Sequence, residues 1–441
     1  MRRRSRELGL GVLAVLITLS GYVLVALAEA PDLPADLWGY LAGLVALLAI
    51  AHLGVRRFAP EADPTILPIV ALLCGLGFVT ISRLDEELSA TQPRLAQSQA
   101  LWAVLGVAAF VATLAFVRRT EMLGRYRYTA LLLGVAALLF PLAPGVGREI
   151  RGARLWVTIG PLNFQPGEVA KVLLVVFLAA YLVEKRELLS LGSVRVGRVM
   201  VPDPKHLGPL LLAWGLSLVI MVMQKDLGSS LLVFSVFGVL LYMATARLWY
   251  LIVTFVLGVL GSLLAYQLFA HVQVRVETWL DPWPDAQDTG FQIVQSMFAF
   301  GTGGFAGTGL GLGSPQKIPA AATDFVFAAI GEELGLLGAV GVVVAILLLV
   351  GTGFRIAVRS RRPFNQLFAA GLASALGIQA FLILGGVTRL IPLTGITLPF
   401  VSYGGSSLVV NFVIAALLLR MSHEANTDLV PARERAGVAT R

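Results

Sequence analysis

"LWYLIVTFVLGVLGSLLAYQLF", residues 248–269, runs for 22 positions without a charged side chain. About 20 apolar residues in helical form cross the ~30 Å hydrocarbon core of a bilayer, so this stretch reads as a transmembrane helix. Comparable runs lie near 9–28, 37–54, 66–82, 99–117, 128–144, 166–183, 208–223, 228–245, 323–352, 363–387 and 398–420. With the quoted run they make about twelve spans, and 208–245 is divided by only a short polar interruption. Of the 441 residues, 57% are hydrophobic and 14% charged, which excludes a soluble globular protein. The fold class is an all-α polytopic membrane protein.

The formal charge of +8 is spread through short loops, which fits membrane topology and not nucleic-acid binding. With the N-terminus inside, 24 Lys and Arg fall on the inner segments and 9 on the outer ones. That bias places both termini in the cytoplasm. "MRRRSREL" followed by an apolar run has the look of a signal peptide. The run at 9–28 is long enough to span, however, and is expected to stay uncleaved. The lone Cys74 lies within an apolar run and rules out an intrachain disulfide.

Downstream of the quoted span comes the longest connection, 271–322, on the outer side. It contains "ETWLDPWPDAQDTGF" (277–291), with Glu277, Asp281, Asp285 and Asp288. Long connections tend to carry function. Asp281 and Asp288, beside Pro282 and Gly290, read as turn and cap residues. "GFQIVQSMFAF" (290–300) is amphipathic and suits the membrane surface. "GTGGFAGTGLGLGSPQK" (301–317) lacks the spacing of a nucleotide-binding loop and reads as flexible backbone. The four histidines give no metal-ligand spacing.

Other polar groups sit at span ends. In "NFQPGEVAKVLLVVF" (163–177), Pro166 suits a first helical turn and Glu168 and Lys171 share a face at i,i+3. They form either a structural pair or a charged cavity wall, and the cavity wall is the preferred reading. "QKDLGSS" (224–230) places Lys225 at an outer hairpin. Thr323 and Asp324 read as a helix cap. The adjacent Glu332 and Glu333 cannot share one helical face, so at least one must be neutralised, paired or wet. In "LPFVSYGGSS" (398–407), hydroxyls such as Ser402 and Ser406 can cap the last helix or meet an anion. Taken alone, capping is the better reading.

Together, "GARLW…FQPGEVAK", "QKDLGSSLL", "WLDPWPDAQDTGFQIVQS", "TDFVFAAIGEELGLLG" and "ITLPFVSYGGSSLVVN" resemble the RodA/FtsW-like SEDS family (shape, elongation, division and sporulation). The resemblance divides the chain into a two-helix addition (1–65), a family core (66–421) with the outer loop 271–322, and a polar tail (422–441) that reads as disordered. It implies a glycosyltransferase in the bacterial cytoplasmic membrane that polymerises lipid II on the outer face beside a class B penicillin-binding protein. That work belongs to the elongation or division machinery. In the family motif the essential aspartate corresponds to Asp285, and the paired glutamate and lysine to Glu168 and Lys171. The chain departs from the family at Ala286, Asp288 and Phe291, at Lys225-Asp226 and at "PAAA" (319–322).

Joining a sugar hydroxyl to an anomeric carbon that carries a polyprenyl pyrophosphate needs a base at the hydroxyl. It also needs positive charge, or a divalent cation (Mg or Mn), at the pyrophosphate. Under the resemblance Asp285 is the base, and Lys171, held by Glu168, steadies the phosphates. Arg154 and Lys225 are secondary candidates for the phosphates, and Ser402 and Ser406 candidate anion ligands. Two rival classes remain: a lipid II flippase and a non-catalytic scaffold for the transpeptidase.

Overall fold

A computed structural model describes residues 2–29, 37–88, 95–150, 153–160, 162–190, 194–196, 199–201 and 204–438. Ten of its helices are long and apolar enough to cross a membrane. The remaining expected spans, near 128–144 and 208–223, coincide with shorter apolar helices, Arg127–Leu142 and Gly208–Met223. The quoted stretch forms the helix Leu248–Leu268, of which only 6% is covered by protein. A nearly all-apolar helix with so little covering presents its side chains to lipid.

Several expectations change at the span ends. The run 323–352 is two helices, Val326–Glu333 and Gly335–Arg359, broken where Gly335 turns left-handed at φ 64°. Any side chain at Gly335 would meet the amide of Gly307 at 2.3 Å. The first of these helices is capped by Phe325 with no side-chain bond, so Thr323 and Asp324 are not its N-cap, and the Thr323 hydroxyl donates to the Ala320 carbonyl instead. The outer connection 271–322 is a little under half α-helical, with Ala270–Leu280 and the amphipathic Phe291–Gly303. Two small antiparallel sheets also appear in the connections: the strands Gly147–Ile150, Ala153–Ile159 and Leu162–Phe164, and the hairpin Val194–Val196 with Val199–Val201.

The chain divides into two units. The first comprises Met1–Phe116, Ala265–Thr352 and Gln379–Leu419. Here the helix Arg2–Glu29 packs on Ile66–Leu88, so the two-helix addition shares a core with the spans that follow it. Small residues let the helices approach closely. A Cβ at Gly77 would strike the Val401 carbonyl at 2.3 Å, and one at Gly405 the Trp102 ring at about 2.0 Å. At the start of the chain Arg4 bonds Glu7 and the Ala62 carbonyl, and the His52 ring nitrogen lies 2.7 Å from Glu7.

The second unit comprises Val117–Leu264, Gly353–Ile378 and Arg420–Arg441. Its core includes Leu138, Ala170, Leu174, Ile220, Met221 and Val233. The polar tail, read as disordered from Ser422, continues the last helix as far as Val438. A buried polar knot explains its start. Glu424 accepts from the Thr120 amide (2.8 Å) and hydroxyl (2.9 Å) and from Asn365 Nδ2 (2.8 Å), and Arg362 lies 3.2 Å from Asp428. Those bonds use the carboxylates in place of water.

Candidate active site

The helix Ala270–Leu280 stops at Asp281, whose backbone is extended because Pro282 follows it. The Asp281 carboxylate accepts from the Trp283 amide at 3.2 Å, the turn chemistry expected of it. Asp285 is the pivot of the adjoining turn. Its carbonyl accepts from the amides of Asp288 (3.3 Å) and Gly290 (3.0 Å). Its Oδ2 accepts from the Thr289 amide (3.2 Å) and hydroxyl (2.6 Å). A Cβ at Gly290 would lie 2.2 Å from the Pro282 carbonyl, so only glycine lets the turn close. The carboxylate is fully exposed, and the Thr289 hydroxyl, then its amide, hold its pKa below the usual carboxylate value. Among the described residues nothing bonds Oδ1. Asp285 thus presents one anchored oxygen and one open oxygen, and is ionised at neutral pH. The Asp288 carboxylate has no such anchor among the described residues.

A long-range clamp orients this turn. Arg389, itself at φ 60°, donates to the carbonyls of Trp279 (2.8 Å) and Leu280 (2.5 Å), the last turn of the helix that leads into Asp281. Trp279 Nε1 returns a bond to the Arg389 carbonyl at 3.1 Å. Arg275 donates to the carbonyls of Leu393 and Thr394. Arginine satisfying terminal helix carbonyls is favoured both as a donor and by the helix dipole. Sequence reading missed Thr289, Arg275 and Arg389. Thr289 was detectable as a hydroxyl four residues after Asp285, but nothing local marks a partner 110 positions away.

The glycine-rich segment, read as flexible, is a cradle for the two glutamates in the same unit. Thr308 and Gly309 donate their amides to the carbonyls of Glu332 and Glu333, each at 3.0 Å, and the Ser314 amide reaches Glu332 Oε1 at 2.9 Å. Gly307 and Gly309 sit at positive φ, and a Cβ at Gly307 would strike the Glu333 carbonyl at 2.1 Å. Both side chains are buried, and Arg83 lies 3.5 Å from Glu333. Burial raises the Glu333 pKa to about 7, against the pull of the Gly311 amide and Arg83. Of the two, Glu333 is the one paired with Arg83 and shifted toward its neutral form. A carboxyl with a raised folded-state pKa contributes stability that is complete below about 4.5 and is lost as pH rises through about 7. Glu333→Gln should flatten that loss, on the order of 3 kcal/mol, and scanning calorimetry from pH 5 to 8 checks it. An unchanged pH slope in the variant would contradict the assignment.

The second unit holds Glu168 and Lys171. Pro166 opens the helix Pro166–Ser190 as expected, and Lys171 Nζ lies 2.6 Å from Glu168 Oε2. Their side chains are 12% and 7% exposed. Beside Lys171 is a space of about 10 Å³ walled by Leu174, Val175, Leu232 and Val236, room for about one water. The apolar neighbours come from turns of two helices that the i,i+3 spacing of the pair does not reveal.

Arg154 stands opposite Glu149 across the strands and pairs with it at 3.2 Å, both well exposed, which makes a weak pair in water. Lys225 is exposed at φ 59°, in the turn before the helix that Asp226 caps through the Ser229 amide. Ser402 and Ser406, in the first unit, are 3% and 1% exposed. The Ser402 hydroxyl accepts from the Leu398 amide at 2.9 Å, a bond within the loop that precedes the last helix and not a cap of that helix. Among the described residues no three His, Cys, Asp or Glu side chains converge to hold a metal ion.

A family model described as cell cycle protein (FtsW, RodA and SpoVE) matches residues 64–427. The peptidoglycan glycosyltransferase RodA of Mycobacterium tuberculosis is 45% identical over 97% of this chain and 92% of its own. An alignment of that extent takes in most of the first two helices, which the family model leaves out. The probable peptidoglycan glycosyltransferase FtsW of Geobacter metallireducens is 37% identical over 74% of this chain and 84% of its own. Among solved structures, a chain described under "Structural coordination of polymerization and crosslinking by a peptidoglycan synthase complex" superposes with a TM-score of 0.66. It is 30% identical and covers 82% of this chain and 98% of that one. Matched over more than four-fifths of its length, and with Asp285, Glu168 and Lys171 inside the matched region, the chain belongs to the FtsW/RodA/SpoVE family of multi-pass membrane proteins.

Proposed function

We propose that this chain is a peptidoglycan glycosyltransferase that polymerises lipid II at the outer face of the bacterial cytoplasmic membrane. Asp285 takes the proton from the acceptor sugar hydroxyl. The hydroxyl oxygen forms the new bond to the anomeric carbon as the bond from that carbon to the pyrophosphate oxygen breaks, and the polyprenyl pyrophosphate leaves with the electron pair. One displacement inverts the centre, so a single carboxylate suffices. The observation that carries this reading is the Asp285 turn: an exposed, ionised carboxylate with one oxygen tied to Thr289 and the other open. An anchored base loses less orientational freedom in meeting a hydroxyl.

Lys171, ion-paired with Glu168, is the proposed partner for the leaving phosphates, with Arg154 and Lys225 as further cations on that side of the reaction. A divalent cation arriving with the pyrophosphate would draw its oxygens mainly from the pyrophosphate and water, as magnesium commonly does. The kinship with FtsW and RodA proteins supports a class B penicillin-binding protein as the working partner.

The test uses purified protein in liposomes with lipid II, magnesium or manganese, and a candidate partner. Glycan polymer is read on a gel and lipid scrambling in parallel. Polymer formation supports the enzyme. Scrambling without polymer, with the partner bound, would replace it with the flippase reading, and partner binding with neither would leave a scaffold.

Arg389→Ala should uncap the helix before Asp281 and let the Asp285 turn drift. A displacement of about 1 Å at a reacting group costs on the order of 100-fold in rate. The expected result is polymerisation lowered about 10- to 100-fold in kcat with normal yield in the membrane. Full kcat in this variant would remove Arg389 from the positioning of the base.

A further inference from the structure

Within the second unit a groove of about 240 Å³ opens where four helices end together. Val183 and Arg186 line it from Pro166–Ser190, Ala244 from the end of Leu227–Thr245, and Val358 from the end of Gly335–Arg359. Gln366 and Leu367 line it from the start of Pro363–Val387. The wall is apolar except for two of these side chains. Gln366 is committed, because its Nε2 donates to the Ser360 carbonyl at 2.8 Å and ties together the two helices that flank that turn. Arg186 is exposed, and among the described residues it has no hydrogen-bond or ion-pair partner. Glu184, two residues before it, is occupied by Arg127 and by Lys185 Nζ at 2.9 Å, so it does not compete for the guanidinium. Among the described residues no carboxylate lines the groove.

The helix that carries Arg186 fixes the depth of the groove. Pro166 opens that helix and Arg186 stands 20 residues further along it, about 30 Å at 1.5 Å per residue. That is the thickness of the hydrocarbon core. With the termini inside, as the charge bias places them, Arg186 stands at the inner boundary, where head-group phosphates lie. Val183, on the same helix face at i−3, is one turn deeper into the hydrocarbon. Val358 is 85% exposed, an apolar side chain at the mouth of the groove that suits acyl chains and not water. At about 240 Å³ the groove is smaller than the roughly 300–1000 Å³ of a complete small-molecule site. It has room for a head group and the top of one chain, with the rest of the lipid outside. The lone unopposed cation selects net negative charge, since the ammonium of a zwitterionic lipid would find no counter-charge in the wall. A guanidinium fork grips phosphate through two parallel bonds, and basic pockets between membrane helices on the cytoplasmic side are a recurrent setting for anionic head groups.

We propose that this groove binds one anionic phospholipid of the inner leaflet, its phosphate on the Arg186 guanidinium and the top of an acyl chain against Val183, Val358 and Leu367. An acidic peptide would meet the same cation, but the apolar walls lie at hydrocarbon depth, where a peptide backbone would lose its water. The site uses none of the residues of the proposed chemistry, so its failure would leave the polymerase reading untouched.

The test titrates the delipidated full-length protein in detergent with dioleoyl phosphatidylglycerol or dioleoyl phosphatidylcholine, which share acyl chains and differ in net charge. Bound lipid is counted by native mass spectrometry. Wild type should hold one phosphatidylglycerol about 10-fold more tightly than phosphatidylcholine, as hydrogen bonds to a charged group allow. Arg186→Leu should bind both lipids alike. Arg118→Leu removes an exposed cation that the charge bias puts on the same side of the membrane, outside the groove, and should keep the wild-type preference. Equal losses in the two variants would reduce the effect to general surface charge and overturn the site. An unchanged preference in Arg186→Leu would overturn it too, as would displacement of the lipid by equimolar glycerol 3-phosphate or hexaglutamate, neither of which has an acyl chain. Arg186 is exposed and unpaired among the described residues, so its replacement should leave Tm unchanged. If Arg186→Leu fails to fold, Arg186→Gln decides by the same preference.

Discussion

Asp285→Asn should abolish glycan polymerisation while leaving the protein folded. Loss of a positioned general base typically costs 100- to 10,000-fold, and for a polymerase scored by product length that reads as no polymer. The structure explains why folding should survive. The two bonds to the carboxylate both come from Thr289, as an amide at 3.2 Å and a hydroxyl at 2.6 Å. An asparagine oxygen accepts both, and the turn also rests on the Asp285 carbonyl, which the substitution leaves alone. A companion change separates base chemistry from turn structure. Thr289→Val removes the hydroxyl, the largest cause of the lowered Asp285 pKa, and should move the acidic limb of the pH–rate profile upward. The sign is set by the role: the base works when ionised, so activity falls as pH drops through its pKa, and a higher pKa brings that fall on sooner. Polymer from Asp285→Asn at near wild-type rates would sink the assignment, and an unmoved limb in Thr289→Val would show that another group sets it.

Lys171→Met is expected to have the largest effect on stability. It leaves Glu168 as a carboxylate in a site where the pair is only 12% and 7% exposed. Removing one partner of a buried ion pair costs ~3–5 kcal/mol, because the remaining charge has neither water nor a counter-charge. Replacing both members removes that penalty, so Glu168→Gln with Lys171→Met should recover most of the lost Tm. Activity should not follow. If Lys171 meets the leaving phosphates, the double variant folds and still fails to polymerise. Tm and polymer yield on the three proteins separate the two roles. Recovery of both quantities together would make the pair purely structural.

The local rules of the chain account for much of this. Apolar runs of spanning length located the ten long helices and the two shorter ones, because burial in lipid is decided by the composition of a contiguous segment. The i,i+3 spacing of Glu168 and Lys171 paired them, since neighbours on a helix surface follow from its pitch. The amphipathic pattern at 290–300 became the helix Phe291–Gly303 for the same reason. The position of Asp285 in an ordered set of motifs marked it out, whereas its spacing among the other acids did not.

Tertiary structure decided the rest. Ser402, buried by its neighbours, ties the loop before the last helix through the Leu398 amide. The glycines of 301–317 serve as a cradle because Glu332 and Glu333, some twenty positions on, need amides in place of water. Arg389 clamps Trp279 across 110 positions of chain. These are hydrogen bonds made where burial removes water, and which residues lose their water depends on how distant segments pack. Span, pitch and motif act over tens of residues and are legible in order along the chain. The partner of a buried polar group is set by the fold, and no period in the sequence records it.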